Sequence, residues 1–242
     1  MCGRYTLTKA EIKELAEYYG LSEEDVKRLY ANYKPRFNVA PTDVMPVITF
    51  DGRHNRVDFK RWGLIPEWAK DEKSGFSMIN ARDDTLHEKP AFKELIARNR
   101  CLVPADSFYE WRKEGQVKQP LRFILKDKGL FSFAGLHTRW VKRQDGTEIR
   151  SFTIITCKPN KIVEPIHDRM PVILPKEAEK DWLDPGLTSI KDVRKFFVSL
   201  DDGKMTSYEV NRAVNSVKNQ SENLIEPLER DEGKETGELS LF

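Results

Sequence analysis

The spacing of apolar residues predicts two amphipathic helices at the start of the chain. Ile12, Leu15, Ala16 and Tyr19 recur on one face, Thr8 with Glu11 makes a capping-box signature, and Gly20 supplies a stop. A second helix begins at Ser22, acidic in its first turn, with Val26, Leu29, Tyr30 and Tyr33 inward and Pro35 ending it. Beyond Arg36 the period shortens. Residues 44–50 and 56–64 read as strands, with Pro46 assigning the first to an edge or a bulge. Pro90 opens a short helix carrying Phe92, Leu95 and Ile96. Strands follow at 101–104, 108–112, 121–125, 130–136 and 151–157, and Asp145-Gly146 reads as a hairpin turn between 139–141 and 148–152. Helices near 176–183 and 190–197 close the compact part. Without an internal repeat or a Pro/Gly/Ser linker, the pattern gives one α+β domain over residues 1–228. Residues 229–242, polar except for Leu239, Leu241 and Phe242, are expected to be a disordered acidic tail.

Composition narrows the class. With 39% hydrophobic and 33% charged residues, the chain reads as ordinary soluble globular protein. Charged residues break every apolar run well short of a membrane span, and no export signal is visible, so the expected location is the cytoplasm. Cys2, Cys101 and Cys157 are too scattered for a disulfide framework or a CxxC zinc site. His54, His87, His137 and His167 share no metal-ligand spacing, so no metal is expected. The net charge of +2 conceals an asymmetry: residues 229–242 carry −3, which leaves +5 on residues 1–228. A modestly basic body is compatible with nucleic-acid binding but does not require it.

Cys2 is the most unusual position. Removal of Met1 makes it the first residue, with an α-amine of pKa roughly 7.7–8.0 beside a thiol near 8.5. Such an amine attacks an aldehyde to give an imine, and the neighbouring thiolate closes on the imine carbon as a five-membered thiazolidine. Alone, Cys2 is no more than a chance second residue. Gly3 permits close backbone approach, and Arg4 brings a fixed charge suited to a phosphate. A terminus this short would fray without partners elsewhere in the chain.

Other segments offer such partners. Asn80 and Arg82 place an amide and a guanidinium just beyond the Gly75 loop. Glu110 sits inside the aromatic run Phe108-Tyr109-Glu110-Trp111, where strand alternation leaves two outcomes open, a solvent face or an inward carboxyl of raised pKa. His167 is flanked by charge and followed by an apolar strand, although a lone histidine is more often structural. Pro41 and the exposed-looking Trp68 suit wedging or stacking against bases, whereas Trp62, at a strand end, equally suits the core.

Taken together, these segments resemble the SOS-response-associated peptidase family, also called abasic-site processing proteins. The matching elements are Met1-Cys2-Gly3-Arg4-Tyr5, Phe37-Asn38-Val39-Ala40-Pro41, Trp62-Gly63-Leu64-Ile65-Pro66, Ile79-Asn80-Ala81-Arg82, Cys101-Leu102-Val103-Pro104-Ala105, Phe108-Tyr109-Glu110-Trp111 and His167-Asp168-Arg169-Met170-Pro171, with a weaker match at residues 210–215. The ordered set runs over residues 1–227. The resemblance implies a single domain around a mainly antiparallel, barrel-like β-core flanked by helices, with a groove for single-stranded DNA. It implies a covalent thiazolidine crosslink from Cys2 to the ring-opened sugar of an abasic site, protecting the lesion in the DNA damage response. By position, the resemblance implies that Asn80 holds the Cys2 amine and nearby oxygens in place, Glu110 is the general acid–base, and His167 binds the sugar oxygen and moves protons. Arg4, Arg82 and Arg169 take phosphates, with Pro41 and Trp68 at the kinked base step. No cofactor or metal is implied, the protein is expected to be a monomer associated with the nucleoid when DNA-bound, and self-removal of Met1 is a companion activity. Two departures stand out: Asp84 replaces the family's usual glutamate, and Asn211 its usual serine.

Two alternatives use the same residues differently. A cysteine peptidase acting in trans would turn over peptides without needing a free α-amine. A non-covalent single-stranded-DNA module would bind with salt-sensitive affinity and no dependence on Cys2.

Overall fold

The structure, a computed structural model, describes residues 2–9 and 11–228, so the acidic segment 229–242 lies outside the described residues. Strand β1 (Arg4–Leu7) leads into helices α1 (Ile12–Tyr19) and α2 (Glu23–Asn32), then strands β2 (Arg36–Val39), β3 (Val44–Phe50), β4 (Asn55–Trp62) and β5 (Asn80–Arg82). Short helices α3 (Pro90–Lys93) and α4 (Leu95–Arg98) precede strands β6 (Arg100–Ala105), β7 (Ser107–Glu114), β8 (Val117–Leu125), β9 (Phe131–Val141) and β10 (Glu148–Cys157). Strands β11 (Met170–Pro171) and β12 (Ile173–Leu174), helices α5 (Lys176–Leu183) and α6 (Ile190–Val193), and strand β13 (Met205–Glu209) complete the order.

Strand β10 pairs with β4 on one side and β9 on the other, so β4, β3, β6, β9 and β10 close on themselves as a barrel. The ladder is antiparallel except where β10 runs parallel to β4 and β5. A second, antiparallel sheet in the order β13-β8-β7-β1-β2 packs against this barrel. Aromatics join the two. Tyr5 of β1 meets Trp62 edge-on at 5.1 Å and Phe133 at 5.8 Å, and Phe108 of β7 meets Phe133 edge-on at 6.3 Å. Each of these rings is fully buried. The α+β class and the mainly antiparallel, barrel-like core therefore stand as expected.

Local outcomes differ in instructive ways. Gly20 ends α1 in the left-handed conformation, but the capping box does not form: Glu11 caps without its side chain, and Thr8 donates to Asp106 Oδ2 at 2.7 Å. A buried carboxylate reached through the fold outcompetes the local cap. In α2, Ser22 accepts from the Asp25 N–H as expected, yet Tyr30 points outward, 62% exposed. The inward stripe runs through Asp25, Leu29 and Tyr33, and buried Asp25 accepts from the Val57 N–H at 3.2 Å. Pro46 lies in a strand with two neighbours rather than at an edge. β6 pairs in register with β3 only at Ile48↔Leu102, so the ladder does not require the missing N–H.

Candidate active site

The amino terminus does not fray. Strand β1 is held between β7 and β2, with Arg4↔Tyr109 and Tyr5↔Phe108 in register on one side and Tyr5↔Val39 on the other. Alternation sends Tyr5 into the aromatic core and leaves Arg4 facing the carboxyl-terminal segment. Cys2 lies immediately before this strand, fully buried, with its Sγ donating to the Arg4 carbonyl at 3.5 Å. Burial pushes the thiol pKa up strongly, and the Glu110 carboxylate pushes it further in the same direction.

Asn80 arrives from a strand laid against the barrel. It opens β5, which is laid parallel on β10 by the Asn80↔Ile154 pairing, and its Nδ2 donates to the Cys2 carbonyl at 2.8 Å. This loop returns to the barrel through a close backbone crossing. Gly63 (φ 116) and Gly75 pack so tightly that a Cβ on Gly63 would stand 2.6 Å from the Gly75 carbonyl oxygen.

Glu110 follows the last β1 pairing on β7 and points inward, only 4% exposed. Desolvation by burial, with a smaller push from Asp168, raises its pKa to about 7. His167 lies on the segment before β11 and is partly exposed; burial is the first cause of its lowered pKa. Its Nδ1 accepts from the Arg169 N–H at 3.0 Å while Asp168 Oδ1 stands 3.0 Å from the same nitrogen. The amide donor makes this nitrogen an acceptor. Glu110 and His167 share an open cleft of about 470 Å³ with Arg4, Trp111, Lys113, Lys118 and Asn215.

The predicted DNA contacts are dispersed. Arg4 donates to Asn38 Oδ1 at 2.7 Å and to the carbonyls of Val214 at 2.9 Å and Asn215 at 3.3 Å, so its guanidinium is occupied by the chain itself. Arg169 is buried, ion-paired with Asp83 and hydrogen-bonded to the Thr156 carbonyl. Arg82 is the most accessible of the three, but it holds Asp84 in a two-pronged pair at 2.8 and 3.1 Å. Trp68 is 62% exposed and Pro41 half-buried, and neither lines the cleft of Glu110 and His167. Trp62 belongs to the core. Sequence reasoning missed Lys113 and Lys118 at the cleft and the clamp formed by Asn38. The available signals were Asn38 within the 37–41 match and Asn215 at the end of the ordered motifs.

No group of three or more histidine, cysteine, aspartate or glutamate side chains suited to a metal occurs among the described residues, and no helix among them is long and apolar enough to cross a membrane.

Fold and site together define a class: a closed barrel with a flanking sheet, where Cys2 is buried against the Asn80 amide and Glu110 and His167 share an open cleft. The chain belongs to the SOS response associated peptidase (SRAP) family, which it matches over residues 1–217. It is 45% identical to the abasic site processing protein YoqW of Bacillus subtilis (strain 168) over 227 residues, 93% of this chain and 99% of that one. Identity to the abasic site processing protein YedK of Escherichia coli (strain K12) is 31%, covering 94% of this chain and all of the relative. A crystal structure of a protein from Bacteroides thetaiotaomicron superposes with a TM-score of 0.83 at 30% identity, covering 94% of this chain and 100% of that one.

Proposed function

We propose that the chain captures abasic sites in single-stranded DNA, acting as a monomer, through a covalent bond from Cys2 once Met1 is removed. The observation that carries this reading is the setting of Cys2. Its carbonyl is bound by the Asn80 amide, and its buried thiol lies within the electrostatic reach of Glu110, a carboxyl of raised pKa that itself lines an open cleft. The relatives' names point the same way.

The order of events follows from acidity. A free α-amine has a pKa of roughly 7.7–8.0 and is in part unprotonated at neutral pH. The thiol is held protonated by burial and by Glu110. The amine therefore attacks the aldehyde of the ring-opened sugar first, and protonated Glu110 gives its proton to the departing hydroxyl, so that one water leaves as the imine forms. The thiol then adds across the C=N bond, its sulfur joining carbon and its proton passing to nitrogen, which closes the thiazolidine. Neutral His167 binds the sugar oxygen and relays protons, and Asn80 fixes the backbone from which both nucleophiles project.

Arg82, Pro41 and Trp68 contact the DNA around the lesion, while Arg4 and Arg169 meet a phosphate only by exchanging present partners. The thiol also adjoins the Met1–Cys2 peptide bond, so hydrolytic removal of Met1 by the chain itself belongs to the same proposal, with Glu110 accepting the proton of the attacking group. The test is a single-stranded oligonucleotide with one abasic site, run on a denaturing gel after heating. Wild-type protein is expected to give a heat-stable shifted band that Cys2→Ala abolishes; a band of equal intensity in Cys2→Ala would overturn the reading.

A further inference from the structure

The cleft beside Glu110 continues into a part of the β7–β8 hairpin that the chemistry above leaves unused. β1 covers β7 only from Ser107 to Tyr109, so beyond that point the hairpin runs on to Glu114 and turns at Gly115, φ 61. Trp111 and Lys113 share one face of β7, and Lys118 stands directly opposite Lys113 on β8. Both lysines are exposed, and both line the cleft that holds Glu110 and His167. Like charges directly opposite across a ladder cost stability. Neither lysine forms an ion pair with a carboxylate among the described residues, whereas Arg112, on the other face, is paired with Glu114 and Glu209. Trp111 walls this end of the cleft in a fixed position, its Nε1 donating to Asn215 Oδ1 at 2.6 Å with the Arg4 guanidinium 5.9 Å from its ring centre.

We propose that Lys113 and Lys118 form a subsite for the phosphodiester backbone on one flank of the captured lesion. The proposal rests on the abasic-site reading and adds the path the strand takes away from Cys2. Two uncompensated ammonium groups facing one open cleft call for an anion there, and backbone phosphates, which carry no base identity, satisfy them irrespective of sequence. That indifference suits a site whose target has lost its base.

The experiment measures equilibrium binding of undamaged single-stranded oligonucleotide across a salt series, with adduct yield on abasic oligonucleotide at saturating protein as a second readout. The double variant Lys113→Ala/Lys118→Ala is expected to bind on the order of tenfold more weakly at about 0.1 M salt, with a log–log salt slope lower by about 1.4 for two lost contacts. Lys113→Arg/Lys118→Arg keeps the wild-type slope, and Lys13→Ala/Lys27→Ala, which removes the same charge from the exposed faces of α1 and α2, leaves affinity unchanged. Adduct yield at saturation persists in all three. An alanine pair at Lys113 and Lys118 with wild-type affinity and slope, or an equal loss in the helix pair, would overturn the subsite while leaving the capture chemistry standing. Failure of wild-type protein to form an adduct strikes the abasic-site reading instead, and the subsite with it.

Discussion

Glu110 is the residue on which the proposed capture chemistry turns. Its pKa, raised from 4.5 to about 7 mainly by burial, places a proton donor and acceptor at the pH where it can do both. The rate of adduct formation is expected to be bell-shaped, rising as the α-amine deprotonates and falling as Glu110 loses its proton near pH 7. In Glu110→Gln the falling limb disappears and the maximum rate drops by roughly 10²-fold, as read from single-turnover kinetics over pH. Stability carries the same signature with a definite sign. Between its unfolded and folded pKa values the native state holds the extra proton, so stability falls as pH rises from about 4.5 to about 7. Glu110→Gln is therefore expected to unfold like the parent at about pH 5 and to be more stable by roughly 2–3 kcal/mol at about pH 8; equal stability at both would contradict the burial account. Strand alternation left the orientation of Glu110 open for a physical reason. Phe108 and Tyr109 are both fully buried, so β7 has no solvent face there for a two-residue period to reveal.

At the scale of elements, the long periodic segments were legible and the short ones were not. The helices at 12–19, 23–32 and 176–183 and the strands of the β9–β10 hairpin follow directly from apolar spacing and turn chemistry. β1, β5 and β11 escape it because four, three or two residues hold no measurable period, and these are the strands that bring Cys2, Asn80 and the His167 segment together. Their structure comes from pairing partners far along the chain. The Gly63–Gly75 crossing is a further case, since it needs a left-handed residue and the absence of a Cβ at the same point. Gly63→Ala is expected to lower stability by roughly 2–3 kcal/mol in chemical denaturation and to displace the loop that ends at Asn80. Adduct formation should slow in the same variant; a neutral substitution would mean that the loop relaxes without using the crossing.

On the scale of the whole molecule, the carboxyl-terminal segment locks the amino terminus in place. Asn38 donates from Nδ2 to the carbonyls of Val214, Ser216 and Asn219 and accepts from Arg4 through Oδ1. Asn38→Ala removes the bonds to these three carbonyls and one partner of the Arg4 guanidinium, so thermal unfolding should report a loss of roughly 1–3 kcal/mol and single-turnover kinetics a slower capture step. An unchanged melting temperature would refute the clamp. Barrel closure was invisible in the pattern because it depends on β10 pairing with both β4 and β9, a relation no local period encodes. The resemblance supplied what the pattern lacked, namely the barrel. It placed Arg4 and Arg169 on phosphates, where the fold instead ties them to Asn38, the 214–215 carbonyls and Asp83.

The central claim is that capture needs both the amine and the thiol of Cys2, and intact-mass spectrometry tests it most directly. Protein with Met1 removed, protein retaining Met1 and protein acetylated at Cys2 are each mixed with the same abasic oligonucleotide. The account predicts a product at the summed masses less one water from the first preparation and none from the other two. Equal product from the blocked preparations would contradict it.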